Sequence, residues 1–247
     1  MPLHSGLLKQ YNELFEQIDT KNDWVRFYNH GYGGKPLLDY DKRDLKFKNR
    51  ANLYAHLFEG VDVKDKDLID IGCGLGRGCN LLKKHYPLKS ITGIDININH
   101  VMFAKKNFKG IEFLQCDAEN LDTLKKRYDI AINVESLCYY LDKESFYTGL
   151  HTILNKGGKA LITTPIVTNM LDFVDQMFVK NGFKIVNRKD ITNSVRDALI
   201  EDSINYKSIF RKVNVEWIDE VRNRLIQIEQ AYAEKKAAYI TYNLERL

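Results

Sequence analysis

The sequence predicts an α/β domain built on a mostly parallel, doubly wound sheet. Three observations predict it. From Asp67 onward, short β-branched runs alternate with helical stretches. A glycine-rich turn, LIDIGCGLGRG at residues 68–78, joins the first such run to the first helical one. Acids close the second and third runs. Strands alternating with helices at this spacing form βαβ units, whose right-handed crossovers cover both faces of a sheet. A chain of 247 residues makes one large or two small domains with a real core.

In chain order, residues 7–18 place Leu7, Leu8, Tyr11, Leu14, Phe15 and Ile18 at helical spacing, which predicts an amphipathic helix. The segment WVRFYNHGYGGKPLLDY (24–40) is aromatic and glycine-rich and reads as irregular. A second helix is predicted over 45–58. Together they form an N-terminal helical segment, 1–60, ahead of a main domain over 61–247. The strands DLIDIG, SITGIDI, IEFLQCD, YDIAINVE, KALITTPIV and FKIVNRKDI follow, and the chain closes on AAYITYNLERL. Before that last strand, residues 193–237 carry Ile209, Val213, Trp217, Val221 and Leu225 near helical spacing. That pattern predicts a helical insertion, not a tight hairpin.

At 44% hydrophobic and 28% charged residues, the composition is that of a soluble globular protein. No apolar stretch approaches the ~20 residues that span a bilayer, and the N-terminus shows no secretory progression. The four cysteines, Cys73, Cys79, Cys116 and Cys138, make no CxxC pair, so neither a metal site nor a disulfide framework is expected. A reduced, cytoplasmic setting fits. The net charge of +4 is mild and the lysines are dispersed, which argues against a nucleic-acid partner.

The turn after the first strand presents free backbone N–H groups at a helix N-terminus, and its glycines let a ligand approach the main chain. Dinucleotide enzymes need GxGxxG there. The third glycine of that pattern is Arg77 in one register and Cys79 in the other. A P-loop string is absent. What stands is Asp70-x-Gly72-x-Gly74-x-Gly76, and a carboxylate ahead of the glycines would repel a diphosphate but can attract an ammonium or accept hydrogen bonds from hydroxyls. The stretch resembles the first motif of class I S-adenosylmethionine-dependent methyltransferases.

That resemblance implies a Rossmann-like seven-stranded sheet with an antiparallel last strand, S-adenosyl-L-methionine as cofactor and S-adenosyl-L-homocysteine as product. Asp95, 23 residues after Gly72, would chelate the ribose hydroxyls. Asp117, 22 residues further on, would accept from the adenine amino group, with Ala118 and Ile96 against the ring. The fourth strand would deliver Asn133 to the cofactor and Glu135 and Ser136 to the acceptor. The motifs of DNA adenine, RNA cytosine and protein arginine methyltransferases are missing.

The string NVESLCYYLD instead resembles a branch acting on lipid and polyketide hydroxyls, which reads Asn-Val-Glu-Ser-Ser-His-Cys-Tyr-Pro-Asp. Asn133, Val134, Glu135, Ser136, Tyr140 and Asp142 match it, whereas that branch's histidine falls on Cys138. The likeness extends to FYNHGYG, to LHTILNKGGKALIT and to the tyrosine-rich closing strand. A thiol of ordinary pKa near ~8.5 is a weak proton acceptor. Three explanations stay open: another base serves, with Glu135, His30 and Tyr140 as candidates; the nucleophile needs little help, as an acidic phenol or an amine would; or Cys138 packs near the substrate. Trp24, Phe27, Tyr28 and Tyr32, with Ile209, Phe210, Trp217 and Ile218, are candidates for an apolar lid over a small hydrophobic acceptor. Trp217 is also a candidate anchor for a homodimer. The expected activity is methyl transfer to a hydroxyl oxygen. Alternatives are C- or N-methylation, or S-adenosylmethionine binding without catalysis.

Overall fold

The structure, a computed structural model, describes residues 29–209 and 215–247. The predicted helix over 7–18, the lid candidates Trp24, Phe27, Tyr28 and Phe210, and the side chains of Ile209, Trp217 and Ile218 lie outside the described residues.

Seven strands form one sheet: β1 (Asp67–Ile71), β2 (Ser90–Asp95), β3 (Glu112–Gln115), β4 (Tyr128–Val134), β5 (Leu154–Val167), β6 (Phe183–Asp190) and β7 (Ala237–Arg246). Their order is β3-β2-β1-β4-β5-β7-β6. Strands β1 to β5 pair in parallel, and β7 lies antiparallel between β5 and β6. All seven predicted strands are present. β5 starts earlier than expected, because Leu154 pairs with Tyr128 across an irregularity in the register.

The helices are α1 (Lys48–Leu57), α2 (Arg77–His85), α3 (Ile98–Asn107), α4 (Lys143–Ile153), α5 (Leu171–Lys180), α6 (Thr192–Ile209) and α7 (Val215–Ala233). The helix expected over 45–58 is shorter, preceded by a single turn at Lys42–Leu45. The insertion expected over 193–237 is the α6–α7 pair. Among the described residues no helix is long and apolar enough to cross a membrane.

The central strands are apolar on both faces because both faces are covered. On one face Leu68, Ile130 and Ile132 pack with Leu53, Tyr54 and Leu57 of α1, Leu81 and Leu82 of α2, and Val195 and Leu199 of α6. On the other, Ile69, Ile71 and Ile162 meet Phe146, Tyr147 and Leu150 of α4 and Phe178 of α5. Each such side chain contributes roughly 1.5–3 kcal/mol by leaving water.

The strand order reverses direction between β1 and β4, and a crevice opens beyond the carboxyl ends of strands at such a switch point. The irregular segment 29–40 is fixed beside this crevice by Asn52, fully buried on α1. Its Nδ2 donates to Tyr32 O at 3.2 Å and Lys35 O at 3.0 Å; its Oδ1 accepts from Leu37 N–H at 2.9 Å and Tyr40 O–H at 2.8 Å. Gly33 N–H reaches Ser194 O at 2.8 Å, which ties the same segment to α6.

Candidate active site

The turn after β1 folds over the end of β2: the N–H groups of Gly72 and Cys73 both donate to Ile94 O at 2.8 Å. Gly72, Gly74 and Gly76 have φ of +79°, +53° and +72°, the left-handed region where a side chain is disfavoured. The turn is free of side chains at these three positions and leads into α2, but the N–H groups of Gly72, Cys73, Gly74 and Gly76 are all taken by protein acceptors, so they are not the free donors the sequence led us to expect.

Two acids stand at neighbouring strand tips. Asp95 Oδ2 accepts from Gly74 N–H at 2.8 Å, and its Oδ1 accepts from Asn97 N–H at 2.9 Å and lies 3.3 Å from His100 Nδ1. It thereby ties the glycine turn to the start of α3. Asp117 is half-buried, accepts from Glu119 N–H at 2.9 Å, and is followed by buried Ala118. Ile96, half-buried, follows Asp95 on the same edge.

Asp70 departs from expectation. It was expected to face a ligand ammonium, yet it is fully buried beneath the turn, with Oδ2 accepting from the Cys79 thiol at 3.3 Å. Its Oδ1 has no hydrogen-bond partner. Burial raises its carboxyl to about 7; the Cys79 hydrogen bond opposes this and the charge of Asp95 adds to it. The folded-state value therefore exceeds the unfolded one, so the folded protein retains a proton the unfolded chain has lost. Asp70 consequently removes stability as pH rises from about 4 to about 7, and no more above that. An Asp70→Asn variant is expected to gain more in melting temperature at pH 8 than at pH 5. Thermal melts at the two values check this, and equal gains would rule out an ionising Asp70.

Asn133, expected at the cofactor, is buried with its polar atoms engaged by protein. Its Nδ2 donates to Ile71 O at 3.0 Å and Tyr140 Oη at 2.8 Å, and its Oδ1 accepts from Leu137 N–H at 2.9 Å. Tyr140 O–H donates in turn to Ser136 Oγ at 2.8 Å. This network forms the floor beneath Gly72. Tyr140, a candidate base in the sequence, has its hydroxyl on Asn133 and Ser136 and not on Glu135, and burial pushes its phenol up.

Glu135 and His30 do come together. Glu135 Oε1 accepts from the backbone N–H of His30 at 2.6 Å and from the hydroxyl of Tyr239, and lies 3.7 Å from His30 Nδ1. The His30 ring also lies 3.5 Å from Tyr232 Oη. Cys138 is exposed, its thiol donating to Glu135 O at 3.6 Å. The protein packed around it, and then the Glu135 carboxylate, push that thiol up to about 12. Tyr32 stacks on His56 at 4.4 Å between centroids, which places its ring against α1.

Tyr232 and Tyr239 were not singled out in the sequence. The only signal for Tyr239 was the tyrosine content of the last strand, since nothing local pairs that strand with the end of β4, and Tyr232, on α7, carried none. Among the described residues no three His, Cys, Asp or Glu side chains form a metal cage.

The crevice edge thus brings together the glycine turn, Asp95, Ile96, Asp117 and Ala118. Comparison with known proteins gives the family. The model of the family described as "Methyltransferase domain" matches residues 62–213. A fatty-acid O-methyltransferase of Mycolicibacterium smegmatis is 33% identical over 147 residues, 58% of this chain and 54% of that protein. A phthiotriol/phenolphthiotriol dimycocerosates methyltransferase of Mycobacterium tuberculosis is 31% identical over 141 residues, 56% of this chain and 52% of that one. The chain thus spans about half the length of these curated relatives. The fold is shared with an O-methyltransferase from a polyketide synthase multienzyme of Brevibacillus brevis, solved with S-adenosyl-L-homocysteine. The TM-score is 0.71 at 11% identity, over 89% of this chain and 84% of that one. The matched span takes in the glycine turn, Asp95, Asp117 and Glu135, and the chain belongs to the methyltransferase domain family.

Proposed function

We propose that the protein transfers a methyl group from S-adenosyl-L-methionine to a small hydrophobic acceptor, at a hydroxyl oxygen. The observation that carries this reading is the side-chain-free turn at the switch point, flanked by the carboxylates of Asp95 and Asp117. The cofactor would supply a methyl group on a sulfonium, already a good leaving group. The chain's task is then alignment, which can lower a barrier by ~7–11 kcal/mol, and removal of the acceptor's proton. Glu135 is our candidate for the second task, a choice supported by His30 lying beside it. The names of the two relatives support a lipid-like acceptor. Segment 29–40, docked on α1 and α6 and touching Glu135, supports a lid role for the N-terminal region.

A second reading, transfer to nitrogen or carbon, is favoured by Cys138, which stands where the hydroxyl-directed branch has histidine.

Calorimetry with S-adenosyl-L-homocysteine tests the cofactor. The wild type is expected to bind it and not NAD, and Asp95→Ala to bind at least about 100-fold more weakly, by loss of charge-assisted hydrogen bonds and of the tie to Gly74. Unchanged affinity in Asp95→Ala would remove the assignment. A panel of dodecanol, dodecylamine and lauric acid then separates the readings. Methylation of the amine alone would favour the second.

A further inference from the structure

We propose that Tyr239 is a positioning residue for this reaction: its hydroxyl and the His30 amide occupy one oxygen of Glu135 and so direct the other toward the acceptor. The inference rests on the methyl-transfer reading above and extends it to a residue on the far end of the chain.

Topology brings Tyr239 there. β7 runs antiparallel to β5, with Tyr239 opposite Pro165, so the first residues of β7 return to the edge where β4 ends. Its backbone is fixed on both sides: Tyr239 N–H donates to Thr192 Oγ1 at 2.8 Å, and Ile191 N–H donates to Tyr239 O at 2.9 Å. The side chain is fully buried. Its ring centroid lies 6.2 Å from that of Tyr232 and 6.0 Å from that of His30. Burial, and then the charge of Glu135, push the phenol well up, so it remains an O–H donor across the working range.

Both donors converge on Oε1, while Oε2 has no hydrogen-bond partner among the described residues. A carboxylate held only for structure would gain as much from donors shared between its oxygens. Two donors on one oxygen fix the plane of the group and leave the other oxygen's lone pairs for a ligand. The backbone of Glu135 adds to this. Its φ of +55° is a conformation that L residues rarely keep unless the surroundings enforce it, and such outliers gather at functional sites. Thr163 O, accepting from Glu135 N–H at 2.8 Å, is one enforcing contact.

In the step so arranged, a lone pair of the acceptor hydroxyl forms the new O–C bond and the S–C pair stays on sulfur. The hydroxyl proton passes to Glu135 Oε2, its bonding pair staying on the ether oxygen, and Glu135 then releases the proton to water. Tyr239 stays protonated throughout.

The test uses Tyr239→Phe, which keeps the ring and removes only the hydroxyl. Infrared spectroscopy reads the carboxylate stretch of Glu135, identified by its loss in Glu135→Gln. That band is expected to shift in Tyr239→Phe and not in Tyr232→Phe; an unmoved band in Tyr239→Phe overturns the proposal. For dodecanol, kcat is expected to fall about 10–100-fold with KM and S-adenosyl-L-homocysteine affinity within about twofold. Lauric acid, ionised and with no proton to lose, is expected to be methylated at an unchanged rate. Equal losses on both acceptors would overturn the proposal by showing a general structural defect. If the wild type binds S-adenosyl-L-homocysteine but methylates neither acceptor, the hydroxyl reading fails, and the infrared band alone decides Tyr239.

Discussion

Replacing Gly72 with alanine is expected to abolish measurable cofactor binding and to lower the melting temperature by about 5–15 °C. A Cβ at this position would lie 2.2 Å from Ser136 Oγ and 2.6 Å from Ser136 Cβ. A serine side chain is too short to move aside without its backbone. Ser136 also accepts from Tyr140, which is bonded to Asn133, which holds Ile71 O and Leu137 N–H. The displacement therefore passes into the ends of β1 and β4 together. Two costs add: about 1–2 kcal/mol for a side chain at φ of +79°, and typically 1–3 kcal/mol for overpacking. Gly157→Ala separates them, since Gly157 has φ of +72° but nothing within 4 Å of its would-be Cβ. That control should lose only the backbone share and keep full affinity. Calorimetry and thermal melts on both variants check this; a Gly72→Ala protein that binds normally would show that the turn is not the cofactor cradle.

For chemistry the largest effect is expected from Glu135→Gln. The amide matches the carboxylate in shape, and its oxygen can still accept from His30 N–H and from the Tyr239 hydroxyl, so fold and cofactor affinity should persist. What it cannot do is take a proton, because the amide nitrogen that replaces Oε2 has no available lone pair. Methylation of dodecanol is then expected to slow about 10²–10⁴-fold, the usual contribution of a general base, or about 3–5 kcal/mol in barrier. Single-turnover rates measured beside S-adenosyl-L-homocysteine affinity give the answer. Unaltered turnover would leave Glu135 without a part in the reaction. His30 meets Glu135 Oε1 at 2.6 Å through its main chain, so losing its ring should be milder than losing the carboxylate.

The seven strands were legible because each is a short β-branched run, and in the middle of the sheet such runs are buried on both faces. The α6–α7 insertion was legible from spacing alone. Asp95 and Asp117 were legible as acids closing strands, a local signal. Asp70 was legible as an acid but not in its orientation: one step along β1 decides which face a side chain takes, and α2 covers that face with Cys79. Asn133, Ser136 and Tyr140 were assigned to cofactor, acceptor and catalysis one at a time. The structure makes them one network, because a 3-10 turn at Leu137–Tyr139 brings Tyr140 back over Asn133.

By itself, then, the sequence determined the alternation of elements, the bare-backbone turn and the acids at the strand tips, all set by chemistry within about ten residues of chain. Only the tertiary structure decided which side chains gather around Glu135. The backbone of His30 arrives from 105 positions earlier and the Tyr239 hydroxyl from 104 positions later. The register that seats β7 against β5 couples residues as distant as Thr163 and Thr241. Such meetings are settled by burial and sheet pairing across the whole domain, and no local pattern encodes them.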